Sequence, residues 1–443
     1  MWIVKRIARM NLKYVIYGAG KRGKEALELI GKEQVDAFVD SNEEMVGGQY
    51  CGLPIIDIDS LETMKEQVIC VISPLKQTEE IMSVLEHRNV HNYILFKAVD
   101  LMVKECKGIL LEKISRWKMH NKVGICGVSI SSLMLYAYLE GESCEPTLIA
   151  TNRKEYERYL FLNNFYRIEL FEKGMENFID IIYTEGYLEN HRVQKINNRR
   201  LLNIKDIYEQ SLCSDELLLK YKNLHKGKRC FIVATGPSLK IEDLETLEKH
   251  REITISMNRI YNLFNKTTWR PNYYMIHDLK MIEDLRETIA TMDLQTKFVS
   301  RESKEFWEQG DIRNCIGFNW SGFIEMGQKA FFSNKVDKCI YEGFTVTYAC
   351  IQMAIYMGFK EIYLLGVDHK YSKDLYEGKN HFEGYDADKK VRLNAVYIEQ
   401  NELSYKCAKE YAQKYGIKIF NATRGGKLEV FERVDFDSLF MQR

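Results

Sequence analysis

At 443 residues, with 46% hydrophobic and 28% charged side chains, the chain exceeds one typical core and is expected to hold two or three domains. Lys plus Arg equals Asp plus Glu at 63 each, so no global field draws it to nucleic acid or to an anionic membrane. Eleven cysteines are scattered without a CxxC pair or a Cys/His cluster, which fits a reducing compartment and argues against a structural zinc site.

The opening Met1–Arg9 segment interrupts its apolar residues with charges and has no cleavage-like site, so it reads as an amphipathic lead-in. No run of about 20 apolar residues could span a bilayer. A cytoplasmic protein is expected, with peripheral contact at the inner membrane face left open.

Strand and helix signals then alternate. Tyr14–Tyr17 reads as a strand, followed by the turn Gly18-Ala-Gly20-Lys-Arg-Gly23 and an amphipathic helix through Ile30. Val35–Val39, Gln67–Ser73 and Asn92–Phe96 read as further strands with helical spacing between them. A helical connector follows near residues 98–118. Weaker strands at Lys122–Cys126, Thr147–Ala150 and Phe178–Tyr183 either extend the first sheet or form their own. Residues 194–228 show helical spacing and no strand. The last block begins at Lys228, with strands at Cys230–Ala234, Ile253–Met257, Tyr273–Ile276, Thr296–Val299, Glu361–Leu365 and Lys418–Phe420. Thr345–Met357 and Tyr405–Tyr415 carry helix periodicity.

This alternation predicts an α/β protein built from tandem Rossmann-like, doubly wound parallel sheets. The expected parts are an N-terminal Rossmann-like domain (1–118), a second small α/β segment (119–193), a helical connector (194–227) and a catalytic domain (228–443).

Two glycine turns carry the chemistry. Gly18, Gly20 and Gly23 follow a strand and open a helix, and Asp40 ends the next strand, twenty positions past Gly20. That is the setting of a dinucleotide fingerprint, in which the acid holds a ribose hydroxyl; NAD or another nucleotide is the candidate ligand there. No Tyr-x-x-x-Lys in the block reads as a catalytic pair and nothing marks a hydride acceptor site, so structural or regulatory use is the favoured reading. The second turn is Thr235-Gly236-Pro237-Ser238, between an apolar strand and a helix-like segment. Glycine permits close approach of a ligand, and the following helix can aim N–H groups at a phosphate. Asn258, His277, Asp278 and Asp368 fall at later strand ends, where parallel sheets bind ligands. His381 lies in a polar loop and is the acid/base candidate. Tyr341, Tyr371, Tyr376 and Tyr385 could donate to a departing phosphate.

Thr-Gly-Pro-Ser-Leu239, Asn258, the stretch Met357–Asp368 and the terminal Tyr415-Gly-Ile-Lys-Ile-Phe-Asn-Ala422 together resemble one extended family over about residues 205–443. It comprises the bacterial sialyltransferases of glycosyltransferase family 42, the flagellar motility accessory factors and the domain named after an archaeal hydroxymethylpterin diphosphokinase. The resemblance implies a family 42-like variant of the GT-A fold. It also implies inverting, metal-independent transfer of a sialic-type sugar from a CMP donor to a surface glycan or protein, with no further cofactor. Gly236 and Asn258 would hold the nucleotide with Thr345 beside them, tyrosines near Asp368 would steady the leaving phosphate, and a loop histidine would be the base. A homo-oligomer is expected. The chain departs from the sialyltransferase pattern at Thr235, where those enzymes carry Asn, at Lys370 (with Tyr371 next to it) in place of a Tyr, and at Tyr385, with which their histidine aligns. The alternatives are an ATP- and magnesium-dependent diphosphokinase, with Asp278 and Asp368 as ligands, and a non-catalytic nucleotide-binding scaffold.

Overall fold

The computed structural model describes residues 13–75, 77–117, 122–171, 178, 180–183, 200–310, 312–323, 329–370, 380–382 and 397–441. The chain divides into two compact units, Met1–Ser211 and Leu212–Arg443.

The first unit carries two sheets. One comprises β1 (Lys13–Tyr17), β2 (Val35–Val39), β3 (Gln49–Tyr50), β4 (Leu53–Ile56), β5 (Val68–Ile72) and β6 (Tyr93–Leu95) in the order β3-β4-β2-β1-β5-β6. All its pairs are parallel except β3 with β4. Chain order reverses at β1, the signature of a doubly wound sheet. Every residue of Val68-Ile-Cys-Val-Ile72 is buried, as expected of a parallel strand covered on both faces. The helix Lys21–Ile30 turns Ala26, Leu27, Leu29 and Ile30 inward and stops at Gly31, whose φ of 101° few other residues would adopt.

The second stretch forms its own sheet, of β7 (Lys122–Cys126), β8 (Glu145–Ala150), β9 (Ile168–Leu170), β10 (Asp180–Tyr183) and β11 (Arg200–Asn203) in the order β11-β10-β7-β8-β9, all parallel. The segment expected to be a strandless connector therefore contains a strand, β11. Leu201 and Leu202 sit beside Ile181 and Ile182, a short apolar pair that polar, basic neighbours obscure in the sequence. The helix Ala98–Trp117 packs on Lys21–Ile30, Ile130–Gly141 and Ile204–Ser211, joining the two sheets into one unit.

The second unit is built on one eight-stranded sheet: β12 (Arg229–Val233), β13 (Thr254–Met257), β14 (Tyr273–Ile276), β15 (Lys297–Ser300), β16 (Cys315–Phe318), then, past a separate two-stranded pair β17 (Trp320–Ser321) and β18 (Ile340–Tyr341), β19 (Glu361–Leu365), β20 (Lys418–Asn421) and β21 (Glu432–Arg433). The order is β16-β15-β14-β13-β12-β19-β20-β21, parallel throughout. Four strands run outward from β12 on one side, and the chain then returns to β19 on the other. The crevice between the carboxyl ends of β12 and β19 is thus the switch point of the sheet. The helix Val346–Tyr356 is almost wholly buried and packs against β12, β13 and β14. Its start, Thr345, lies at the carboxyl edge. No helix among the described residues is long and apolar enough to cross a membrane.

Candidate functional site

The Thr235–Ser238 turn leaves β12 at the switch point, and Gly366–Asp368 leaves β19 beside it. Pairing continues past both strands: Ala234 donates its N–H to Leu365 O at 2.8 Å, and Gly236 donates to Gly366 O at 2.9 Å. The Asp368 carboxylate closes the turn, with Oδ2 accepting from Ser238 Oγ at 2.8 Å and from Ser238 N at 3.3 Å. Burial pushes the Asp368 pKa up against the lowering by these bonds. Gly426 and Lys427 brace the same residue from behind, Lys427 N donating to Asp368 O at 2.7 Å.

This geometry changes the reason for Gly236. A Cβ there would meet Asp368 Oδ2 at 2.1 Å and Gly366 O at 2.4 Å. The glycine is required by the approach of the protein's own loop, not by space held for a phosphate. The helix that follows also carries an anion of its own in its first turn. The helix Ile241–Lys249 starts three residues after Ser238, its first turn carries Asp243, and that carboxylate receives Lys240 N and the Arg424 guanidinium. Pro237 is exposed and Thr235 is buried.

His381 does reach the turn: its Nδ1 lies 3.3 Å from Thr235 Oγ1, and Phe382 N donates to Thr235 O at 3.0 Å. Lys370 is exposed two residues past Asp368. Tyr371, Tyr376 and Tyr385 lie outside the described residues. Tyr341 is fully buried against Phe331, which removes it from the donors expected near the phosphate.

On the neighbouring strands, Asn258 follows β13 in the left-handed region at φ 51°, and its Oδ1 is shielded from solvent with no hydrogen-bond partner among the described residues. Such strain at a strand end is characteristic of binding sites. His277 follows β14 and stacks flat on Trp320, ring centroids 4.0 Å apart and planes 13° apart. Burial lowers its pKa to about 4, so the imidazole is neutral. Asp278 Oδ1 caps the helix Leu279–Asp284 through Met281 N at 3.0 Å. Thr345 caps Val346–Tyr356 and bonds Tyr405.

Asp278 and Asp368 do not share a site for one cation. Their strands, β14 and β19, are three positions apart in the sheet, roughly 14 Å at ordinary strand spacing. Among the described residues no group of three His, Cys, Asp or Glu side chains could hold a metal ion.

Glu342, which no motif singles out, is the most perturbed acid near this edge. Burial pushes its pKa up to about 7, with Glu302 and Asp278 adding to the rise, while Oε1 accepts from Gly343 N at 3.0 Å and Phe344 N at 2.5 Å. The only sequence signal for it is its place just before a glycine at a helix start. Trp320 was equally unmarked.

In the first unit, Gly18 (φ 99°) and Gly23 serve close packing: a Cβ at Gly23 would lie 2.0 Å from Gly18 O. Gly20 faces open space and caps its helix without a side chain. Asp40 turns into the glycine turn, where Oδ2 accepts Ala19 N at 2.8 Å and Oδ1 accepts Asn42 N at 3.0 Å.

Residues 198–374 match the family model described as 6-hydroxymethylpterin diphosphokinase MptE-like. The match spans the Thr235–Ser238 turn, Asn258, His277, Asp278, Thr345, Asp368 and Lys370, and stops short of His381. No curated protein matches the chain. Among solved structures, shikimate dehydrogenase from Aquifex aeolicus is 11% identical, with 45% of this chain and 83% of that chain covered and a TM-score of 0.19, too loose a superposition to carry an argument. The chain is therefore an α/β protein of tandem doubly wound sheets in which residues 198–374, most of them in the second unit, are similar to the MptE-like family.

Proposed function

We propose that the second unit is a nucleotide-dependent transferase working at the β12–β19 switch point, and that it moves a diphosphoryl group from a nucleoside triphosphate to an alcohol. The observation that carries this reading is the Asp368 carboxylate set into the Thr235–Ser238 turn. An anion already fills the place where a phosphate was expected, so a polyphosphate can come close only through a shared cation. Magnesium is commonly held by one or two carboxylates plus substrate phosphates, and Asp368 suits that mode without help from Asp278. Bound there, the ion would neutralise phosphate charge. The similarity to a diphosphokinase-like family over residues 198–374 points the same way.

In this reaction the alcohol oxygen bonds the β-phosphorus, the bond from that phosphorus to the α–β bridging oxygen breaks, and a nucleoside monophosphate leaves. His381, whose Nδ1 lies beside Thr235 Oγ1, would take the hydroxyl proton. Asn258 and Thr345 flank the nucleotide.

The second reading is metal-independent transfer of a sugar from a CMP donor to a glycan or protein acceptor. Asn258, left-handed with an unmatched oxygen beside the turn, favours it as a nucleotide-reading residue. Turnover separates the two. The proposal expects AMP from ATP in the presence of an alcohol acceptor and magnesium, abolished by EDTA. Activity that survives EDTA, or release of CMP from a CMP-sugar, would sink it. No turnover and no thermal shift with either nucleotide would leave a scaffold.

A further inference from the structure

The carboxyl edge holds two polar atoms that nothing among the described residues satisfies: Asn258 Oδ1, after β13, and His277 Nε2, after β14. The strands are neighbours, with Met257 opposite Met275, so the two backbones stand about one strand spacing, roughly 5 Å, apart. Both atoms are shielded from solvent, so bulk water does not satisfy them either. A buried polar atom left without a partner is costly and rare in folded proteins. Two on adjacent strand ends, at the edge where such sheets take ligands, mark a site completed from outside.

Their chemistry is the same. Oδ1 is an acceptor by nature. The imidazole is held neutral by burial, and with its ring proton on Nδ1 its Nε2 is an acceptor as well. Trp320 covers the imidazole but belongs to the short β17–β18 pair, not the large sheet, and its ring is partly exposed. It can slide aside, or accept a flat ligand ring in its stack, without breaking the sheet.

We infer that Asn258 and His277 together read a pair of adjacent hydrogen-bond donors on the ligand, with Trp320 as the ring platform beside them. The inference rests on the nucleotide-dependent reading above and specifies what that site recognises. Two donors side by side occur on the vicinal diol of a ribose and on the amino-bearing edge of a purine or pterin ring. Either source meets the same two acceptors.

The test uses the full chain with two variants. His277→Phe keeps a flat ring against Trp320 and deletes the acceptor; Asn258→Gly deletes Oδ1 and tolerates the left-handed backbone. Without ligand, both should melt at or above the wild-type temperature, because an unmatched buried atom has gone. ATP, GTP and their 2′,3′-dideoxy forms are then titrated calorimetrically with magnesium. Each variant should weaken binding about 5- to 100-fold, the usual range for one hydrogen bond into a closed site. If the wild-type protein prefers the ribonucleotides and the variants erase that preference, the donors are the diol; if the weakening is equal with dideoxy forms, they belong to the base. Unchanged affinity in both variants overturns the inference. So does a fall of several degrees in the ligand-free melting temperature of His277→Phe, which would mean the nitrogen is satisfied within the protein. Should no nucleotide bind the wild type, the transferase reading fails, and the ligand-free melting temperatures decide whether the two acceptors are unmatched.

Discussion

Replacing Gly236 by alanine tests the switch-point geometry directly. The new methyl carbon would stand 2.1 Å from Asp368 Oδ2 and 2.4 Å from Gly366 O. Ordinary carbon–oxygen contacts lie at about 3.3 Å or more, so the carboxylate must retreat by about 1.2 Å and the β19 loop by about 0.9 Å. The first shift breaks the two bonds from Ser238, and the second stretches the 2.9 Å bond from Gly236 N to Gly366 O. Bonds to a charged group contribute about 1.5–3 kcal/mol each, and Asp368 is only half-buried, so the lower figure applies. Two such bonds plus about 1–2 kcal/mol for the overpacked backbone give a loss of about 4–5 kcal/mol. Hydrogen exchange of the Phe231–Val233 amides measures it, because that peptide reports opening of this sheet alone. Asp368→Ala should cost less, about 1–3 kcal/mol, and the double variant should be about 1–2 kcal/mol more stable than the sum of the singles predicts, since the carboxylate is one of the two clashing groups. Additive losses, or a Gly236→Ala protein within 1 kcal/mol of wild type by the same range, would refute the account of the turn.

Glu342 should make stability fall as pH rises. Its unfolded pKa is near 4.5 and its folded pKa about 7, so between these values the unfolded chain is ionised while the fold retains the proton. The penalty grows through that window to about 3 kcal/mol and is complete above it; urea titrations at pH 4.5 and 7.5 should show this slope in wild type and lose it in Glu342→Gln. Gly23→Ala should destabilise the first unit by several kcal/mol through its 2.0 Å contact with Gly18 O, whereas Gly20→Ala, facing open space, should change it by about 1 kcal/mol or less; melting of each variant settles the contrast. Lys97→Met should cost about 3 kcal/mol, read by exchange of the β7 amides, because it strands Glu155, whose Oε1 lies 2.8 Å from Lys97 Nζ with both side chains under 10% exposed.

The apolar strands were legible because a parallel strand buries both faces and writes itself as an unbroken run, as in Val68–Ile72 and Arg229–Val233. Two-residue edge strands such as β17, β18 and β21 leave no period to read. The terminal helix illustrates the same limit: it runs Ile398–Lys414, while the sequence suggested only its final turns, since its first turns bury the polar Gln400, Asn401 and Ser404. Thr235, Asn258, His277, Asp278 and Asp368 all follow the carboxyl ends of strands in one parallel sheet. What spacing could not show was which strands are neighbours. The reversal at β12 puts Asp368 against the glycine turn and carries Asp278 three strands away. It also brings His381, 146 residues distant in sequence, to Thr235.

One device recurs after the first strand of each sheet. The turn after β1 gives Ala19 N to Asp40 at 2.8 Å, that after β7 gives Val128 N to Glu155 at 3.2 Å, and that after β12 gives Ser238 N to Asp368 at 3.3 Å. In each case a carboxylate of the protein occupies the donors that a bound anion would use, so a glycine turn in the sequence does not by itself imply a phosphate. The three acids differ in what else holds them. Glu155 is buried and neutralised by Lys97, which leaves no charge to offer a ligand. Asp40 divides its oxygens between two backbone N–H groups. Asp368 is half-buried, feels the exposed Lys370 only weakly beside the effect of burial, and keeps a raised proton affinity that an incoming cation would relieve. Of the three turns, the one after β12 is therefore where a cation and a polyphosphate gain most by arriving together, which is the physical ground for placing the chemistry of the chain there.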